Sequence, residues 1–220
     1  MSTPDADSAI DTLAALARDN ALPWKDAWRA PIGQLLTWLG RFSARTNLVG
    51  DHRPEAVVQE HLLETLTVAA AVERIGLEPS RIVDVGAGAG LEVLMLALWA
   101  DDAQLVAVEP RRKRADFIEL VADAMGVGRR ITVVRSQVPE WRPEQLFDLA
   151  TSRATFSPGQ WRVHAAALVA AQGVIVVHDA VTTAPGSPPD GGWQATERVV
   201  PGRSAHCIRT YRRASGQPTT

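Results

Sequence analysis

The chain of 220 residues has little cysteine, little lysine and no long apolar run. Its single cysteine, Cys207, excludes an internal disulfide and favours a reducing compartment. Lysine occurs only at Lys25 and Lys113, and every other strongly basic residue is arginine. No apolar run approaches the ~18 residues of a membrane span, since acidic residues follow Trp99. The segment Met1–Asp5 lacks the basic and apolar regions of a secretory signal, so we expect a cytoplasmic protein without a membrane partner.

The charge pattern leaves the nature of the partner open. A net charge of −2 is unlike that of most nucleic-acid-binding proteins, which are basic. Basic residues nevertheless cluster in residues 111–114, 129–130 and 203–213. These clusters are either a phosphate-binding face or the solvated ends of helices and strands. The five histidines have no metal-ligand spacing, so we expect no metal site.

From residue 81 onward, apolar strand patterns alternate with amphipathic helix patterns. Such alternation predicts an α/β fold with a mostly parallel sheet covered by helices on both faces. Two further strands, near 196–200 and 205–212, predict a C-terminal antiparallel hairpin. The predicted strands are 81–85, 104–108, 131–135, 147–151 and 173–177, and the predicted helices lie near 90–99, 111–125 and 158–171.

The first 75 residues are predicted to be helical. Ser8 with Asp11 resembles a capping box at the start of one helix, and further helices are expected after Trp24 and after Pro54. We therefore expect an N-terminal helical extension and one larger domain. The predicted divisions are an extension over 1–75, a domain over 76–213 and a tail over 214–220, with a proline- and glycine-rich loop at 184–192 inside the domain.

The most specific local signal is a glycine turn between a predicted strand and a predicted helix. Gly86, Gly88 and Gly90 form the pattern G-x-G-x-G, and Leu91 stands where a dinucleotide-binding fingerprint needs its last glycine. Glycines at such a turn let a ligand approach the backbone, and the helix start behind them offers free N–H groups. The alternatives are an ordinary tight turn in another α/β protein and a NAD-dependent dehydrogenase, which Leu91 disfavours.

This turn, with Asp84 before it and Glu109 after the next strand, resembles class I S-adenosylmethionine (SAM) methyltransferases. In that superfamily the acid after the second strand binds the ribose hydroxyls. The rest of the chain resembles the glucose-inhibited division protein B family, bacterial enzymes that methylate N7 of a guanosine in small-subunit ribosomal RNA. The motifs that carry the resemblance are T-N-L at 46–48, E-H-L-L-E-T-L at 60–66, D-V-G-A-G-A-G-L at 84–91, V-R-S-Q-V-P-E-W at 134–141 and F-D-L-A-T-S-R-A at 147–154.

The resemblance implies a Rossmann-like methyltransferase domain, SAM as cofactor, and ribosomal RNA or the small ribosomal subunit as partner. Arg153 is implied to contact the cofactor and face the substrate, which makes it the candidate catalytic residue; the alternative is a surface loop arginine. His61 and His178 are candidates for the substrate side, and His61 is equally consistent with a packed helix histidine. The implied cofactor-binding residues are Asp84, Gly86, Gly88, Gly90, Leu91, Glu109, Val138, Pro139 and Arg153.

Two departures from the family pattern keep other acceptors open. Glu92 follows the turn where the family has prolines and glycines, so we expect it to change the cofactor-facing surface. His178 and Asp179 stand where the family has a Lys-Gly pair, so a basic group at the substrate mouth must come from His178 or an arginine. The alternatives are a SAM-dependent methyltransferase of a small molecule or protein, and a SAM-binding protein without activity.

The sequence shows no pair of residues spaced as a general base and its partner. This does not count against an enzyme, because guanine N7 has no proton to remove.

Overall fold

The computed structural model describes residues 4–43, 46, 48–138, 140–181 and 192–213. Asn47, Pro139, the tail 214–220 and all but the last residue of the predicted loop 184–192 lie outside the described residues.

One seven-stranded sheet runs through the molecule in the order β3-β2-β1-β4-β5-β7-β6. Strands β1 to β5 pair in parallel, and β7 runs antiparallel between β5 and β6. This confirms the predicted mostly parallel sheet with a C-terminal antiparallel hairpin. The strands are β1 (Arg81–Val85), β2 (Gln104–Val108), β3 (Ile131–Val134), β4 (Phe147–Thr151), β5 (Val169–Ala180), β6 (Trp193–Val200) and β7 (Arg203–Arg213).

Helices cover both faces of the sheet. One buried cluster joins Leu13, Leu39 and Leu66 of the N-terminal helices to Ile82 and Leu149 of the sheet, and a second lies on the opposite face under the last helix. The helices are α1 (Pro4–Asp19), α2 (Arg29–Ser43), α3 (Pro54–Val57), α4 (Leu63–Arg74), α5 (Leu91–Trp99), α6 (Arg112–Ala124) and α7 (Pro158–Ala166), with a π-helical turn (Val58–Leu62) between α3 and α4. The division into an extension and a domain remains a prediction.

Two predicted boundaries were wrong. Helix α1 begins at Pro4, so Ser8 lies inside it and is not a cap; proline suits a first turn, and Asp5 and Asp7 there interact favourably with the helix dipole. The helix predicted over 158–171 ends at Ala166, because the chain from Val169 pairs with β4 and lengthens β5. In both places the apolar spacing correctly predicted a helix, but it did not predict the residue at which the helix begins or ends.

The alternation of side chains along the strands positions the site. Ile82 and Leu149 point into the core beneath the N-terminal helices. Two residues further on, Asp84 and Thr151 occupy the same face and pair with each other across β1 and β4. His178 lies on the same face near the end of β5, in phase with the buried Val176. Polar residues of three strands therefore meet at the carboxyl edge of the sheet, where open α/β sheets bind their ligands.

Candidate active site

The turn after β1 holds its three glycines in left-handed backbone conformations. The φ angle is +72° at Gly86, +60° at Gly88 and +74° at Gly90, a region that L-residues rarely adopt. A Cβ atom at Gly86 would lie 1.9 Å from Thr155 Oγ1, and one at Gly90 would lie 2.7 Å from Ile118 Cγ1. At Gly88 the nearest such atom would be 3.9 Å away. Close packing therefore requires Gly86 and Gly90, whereas Gly88 leaves space beside the turn.

Glu109, directly after β2, holds this turn in place with its carboxylate. The residue is only 3% exposed. Its Oε2 accepts the N–H of Gly88 at 2.9 Å and its Oε1 accepts the N–H of Arg111 at 2.8 Å. The N–H of Gly86 donates to the carbonyl of Val108 at 2.8 Å. The turn is thus fixed against the end of β2, and each carboxylate oxygen keeps a further lone pair for another donor.

Asp84 at the end of β1 is a buried acid with an unused oxygen. It is 2% exposed, and its Oδ2 has no hydrogen-bond partner among the described residues. Burial, followed by the nearby carboxylate of Glu92, raises the pKa of Asp84 to about 8. Asp84 therefore carries a proton at neutral pH in the cofactor-free protein.

A buried histidine joins two acids beside Asp84. His178 Nδ1 lies 2.8 Å from Glu64 Oε1, and His178 Nε2 lies 3.1 Å from Glu92 Oε1. The hydroxyl of Thr151 donates to the same Oε1 of Glu92 at 2.5 Å. Glu92, expected to change the cofactor-facing surface, is 3% exposed and is directed at His178 and Thr151. We call Glu64, Glu92 and His178 the acid–histidine cluster.

The charges in this cluster shift one another's pKa values. Burial opposes the charge of His178, yet Glu92 and Glu64 together raise its pKa to about 9. Burial likewise opposes ionisation of Glu64, but the hydrogen bond and charge of His178, with Arg153 and Arg203, lower the pKa of Glu64 to about 2. The cluster is therefore charged at neutral pH.

Two arginines meet the other side of Glu64. Nη1 of Arg153, in the loop after β4, lies 3.6 Å from Glu64 Oε2. Nη1 of Arg203, at the start of β7, lies 3.3 Å from the same oxygen and donates to the carbonyl of Glu60 at 2.9 Å. The side chains of Arg153 and Arg203 are 23% and 29% exposed, so both reach the surface.

These arginines border a cleft of about 560 Å³ at the carboxyl edge of β4 and β5. His61 also lines it; burial, then the charge of Arg153, lowers the pKa of His61 to about 4, so His61 is neutral. Phe156 forms a wall and stacks on Trp161, with ring centroids 5.9 Å apart. Asp179 lines the cleft as well, but its carboxylate is paired with Arg209. Two arginines and a neutral imidazole thus face one cavity, whose lining also includes the carboxylates of Glu60, Glu64 and Asp179.

The side chain of Thr155 connects the loop at the cleft to the glycine turn. The Thr155 hydroxyl lies 3.4 Å from the carbonyl oxygens of both Gly86 and Arg153. The loop that carries Arg153 therefore packs directly against the turn after β1.

The predicted site residues fall into two neighbouring groups. Asp84, the three turn glycines, Leu91 at the start of α5, and Glu109 surround the turn. His61, Arg153 and His178 border the cleft. Val138 is partly buried against the second core cluster, and Pro139 lies outside the described residues.

Four residues of the site were not singled out from the sequence, among them Thr155, for which no sequence signal was noted. Glu64 lies in the same motif as His61, and its i, i+3 spacing from His61 placed both on one helix face. Thr151 belongs to the motif that contains Arg153. Arg203 was noted only within a basic cluster, and no local pattern linked it to Glu64. Among the residues that the structure describes, no group of three or more His, Cys, Asp or Glu side chains is arranged to hold a metal ion.

The sequence model of the GidB family, described as rRNA small subunit methyltransferase G, matches residues 30–182. This is well over half of the chain. The chain belongs to the rRNA small subunit methyltransferase G family. The predicted family is confirmed, and with it the class of enzyme, a methyltransferase.

Curated relatives agree with this family. The ribosomal RNA small subunit methyltransferase G of Psychromonas ingrahamii is 31% identical over 147 residues, which cover 67% of this chain and 68% of that protein. The protein of the same name from Aeromonas salmonicida is 33% identical over 129 residues, which cover 59% of each. The aligned segments thus span about three-fifths to two-thirds of these relatives.

Solved structures show the same fold in other methyltransferases. An O-methyltransferase from Bacillus cereus, in complex with SAH, gives a TM-score of 0.58 at 15% identity, covering 92% of this chain and 97% of that one. The O-methyltransferase TomG from Streptomyces achromogenes, in complex with SAM, gives 0.57 at 16% identity, covering 93% and 96%. At these identities the likeness shows the fold alone, and it confirms the predicted Rossmann-like methyltransferase architecture. Within the described residues, no helix is both long and apolar enough to cross a membrane.

Proposed function

We propose that this protein transfers the methyl group of SAM to N7 of a guanosine in the 16S RNA of the small ribosomal subunit. The observation that carries the proposal is the contact between the two groups of the site. Thr155 joins the carbonyl of Gly86, in the glycine turn, to that of Arg153, at the cleft. A cofactor on the turn and a base in the cleft would therefore be neighbours. The names of the relatives point to the same acceptor.

The residues around the turn fit SAM. The space beside Gly88 admits a ligand close to the backbone, and the free lone pairs of Glu109 suit two ribose hydroxyls. The Oδ2 of Asp84, which has no partner among the described residues, offers a buried polar group near the turn. We infer that Gly86, Gly90 and Leu91 complete this side of the binding site and that Val138 and Pro139 bracket the adenine. SAM supplies a methyl group already activated by its sulfonium.

Methyl transfer to guanine N7 requires the protein to align the base with the methyl group, and it requires no proton transfer. Guanine N7 has an exposed lone pair and no proton, so a general base is not needed. The neutral His61 and the charged Arg153 can therefore act by binding and orienting the base, with Arg153 in the loop that packs against the turn. Alignment of this kind can lower a barrier by ~7–11 kcal/mol in favourable cases.

An RNA substrate suits the charge of the cleft. Arginine guanidinium groups bind phosphates and stack on bases, and Arg153 and Arg203 both reach the cleft surface. Asp179 would oppose phosphate, but Arg209 compensates its charge. These arginines would stand in for the fifth-strand lysine of the family pattern, since the chain has no lysine after Lys113. The base must be presented unstacked, because A-form RNA hides the edge that carries N7. Methylation of ribosomal subunits would place the protein in the cytoplasm.

The test is methyl transfer from labelled SAM to small ribosomal subunits that lack this modification. We expect N7-methylguanosine in the 16S RNA, identified by mass spectrometry of the digested nucleosides. SAM binding without transfer to subunits or naked RNA would contradict the proposal. It would favour a small-molecule or protein acceptor, or a SAM-binding protein without activity.

A further inference from the structure

The ring of His178 is enclosed by two acids that come from different helices. Glu64 belongs to α4 and Glu92 to α5, and each meets one ring nitrogen, at 2.8 and 3.1 Å. The side chains of His178, Glu64 and Glu92 are 8%, 7% and 3% exposed, so water contributes little. One ring on β5 therefore links both helices to the sheet.

The geometry sets the protonation state of this ring. A neutral imidazole has one N–H and one lone pair. With a carboxylate oxygen near each nitrogen, the lone pair would face a negative charge, so both nitrogens must carry hydrogen. His178 is then an imidazolium, in agreement with its raised pKa of about 9.

The groups around the ring come from every element packed against it. They are Glu64 of α4, Glu92 of α5, Asp84 of β1, Thr151 of β4, Asp179 of β5, Arg153 of the loop after β4, Arg203 of β7, and the neutral His61. Glu64 connects His178 to both arginines. Its Oε1 contacts His178, and its Oε2 contacts Arg153 and Arg203. The charge of His178 therefore decides how strongly Glu64 attracts the two arginines.

We propose that His178, held between Glu64 and Glu92, is a positioning residue for the RNA substrate. By neutralising part of the charge of Glu64, it leaves Arg153 at a long 3.6 Å contact, where its guanidinium remains available to the cleft. Without that charge, Glu64 would draw Arg153 and Arg203 inward and away from a substrate. This inference rests on the proposed function and adds to it a largely buried residue that acts through Glu64.

Substitutions of His178 separate its charge from its shape. His178→Gln keeps polar contacts but loses the charge, and we expect KM for the ribosomal substrate to rise about tenfold or more, since small misplacements at a site cost up to about 100-fold. The dissociation constant for SAM should change less. His178→Lys restores a cation and should recover most of the loss. Asp101→Asn, which weakens an ion pair with Lys25 away from the cleft, is the control and should leave KM unchanged.

The ring state provides a readout that does not depend on activity. In ¹⁵N NMR spectra at pH 7, both ring nitrogens of His178 should be protonated, and Glu92→Gln should lower the pH at which the ring titrates. Urea unfolding of each variant confirms that it folds. A neutral ring at pH 7 would overturn the inference whatever the activity.

The kinetic outcomes separate the two proposals. Wild-type protein that transfers no methyl group would overturn the proposed function. Wild-type protein that does transfer it, with His178→Gln at unchanged KM, would overturn this inference alone.

Discussion

The glycine turn and the cleft are built by different means, although Thr155 joins them. The turn is held by backbone geometry: three glycines with positive φ and one carboxylate that binds two N–H groups. The cleft is held by side-chain charges from α4, α5, β5 and β7 around Glu64. The glycine turn follows the family pattern up to Leu91, whereas the acid–histidine cluster beside the cleft contains the departures Glu92 and His178.

The difference has a physical basis. A turn that must approach a ligand with its backbone tolerates almost no side chain, so few sequences can form it. A charge cluster needs only balanced charges within contact distance, and several residue sets can provide that balance. Here Glu92 on α5 and His178 on β5 form an ion pair. The cleft can therefore change its residues while the turn cannot.

The largest expected effect is at the turn. Gly88→Val should weaken SAM binding by at least about 100-fold, because the side chain would fill the open space beside the turn in a backbone conformation that valine disfavours. Isothermal titration calorimetry measures the loss. Gly76→Val is the matched control, since Gly76 has a φ of +67° and no atom within 4 Å of its Cβ position. Unchanged affinity in Gly88→Val would show that the cofactor lies elsewhere.

Next in size is the loss of Arg153 at the cleft. Arg153→Ala should lower the rate of methyl transfer by about 100-fold through misalignment of the substrate, with little loss of stability. Stability should persist because Glu64 keeps His178 and Arg203 as partners. The methyl-transfer rate and the urea unfolding of Arg153→Ala are compared with those of Arg129→Ala, a control at an exposed position. An equally large loss of stability would identify Arg153 as a structural arginine instead.

A smaller effect is expected from the carboxylate that holds the turn. Glu109→Gln should weaken SAM binding about tenfold, because the amide nitrogen cannot accept a hydrogen bond and leaves one of the two N–H groups unpaired. Isothermal titration calorimetry with SAM tests this, and Glu119→Gln, at an exposed position of α6, is the control. Equal affinity of the two variants would mean that the charge of Glu109 contributes nothing to the cofactor.

The turn could be predicted from the sequence because its determinants are local. Gly86, Gly88 and Gly90 stand within five residues, and Glu109 ends the next strand. The cofactor residues could be proposed from the family resemblance that this turn and the other motifs carry, and their contacts with SAM remain predictions. The mostly parallel sheet could be predicted for a similar reason, from the alternation of strands and helices.

The cleft could not be predicted in the same way. Glu64 lies 114 residues from His178 and 139 residues from Arg203, so only the folded sheet brings them together. The sequence showed that His178 replaces a lysine, but not that its ring is buried between two acids. The early start of β5 was missed for a related reason, since Val169 joins the sheet only because Phe147 of β4 pairs with it.

The last prediction concerns stability rather than binding or rate, and it sharpens the comparison where turn and cleft meet, at Asp84. In the folded protein its pKa is raised from 3.8 to about 8. Between these pH values the unfolded chain has lost this proton and the folded chain still holds it, so the contribution of Asp84 to stability falls as the pH rises. Asp84→Asn removes this term, and the variant should gain stability relative to wild type between pH 5 and pH 8.

Urea unfolding of both cofactor-free proteins across this range measures the difference. The contributions of Glu64 and His178 are present in both proteins and largely cancel in the comparison. Parallel pH dependence would mean that Asp84 is ionised in the folded protein. His178 would then be surrounded by three buried carboxylates, those of Glu64, Glu92 and Asp84, instead of the first two. The turn and the cleft would in that case belong to one network of charged groups, whereas a protonated Asp84 separates them.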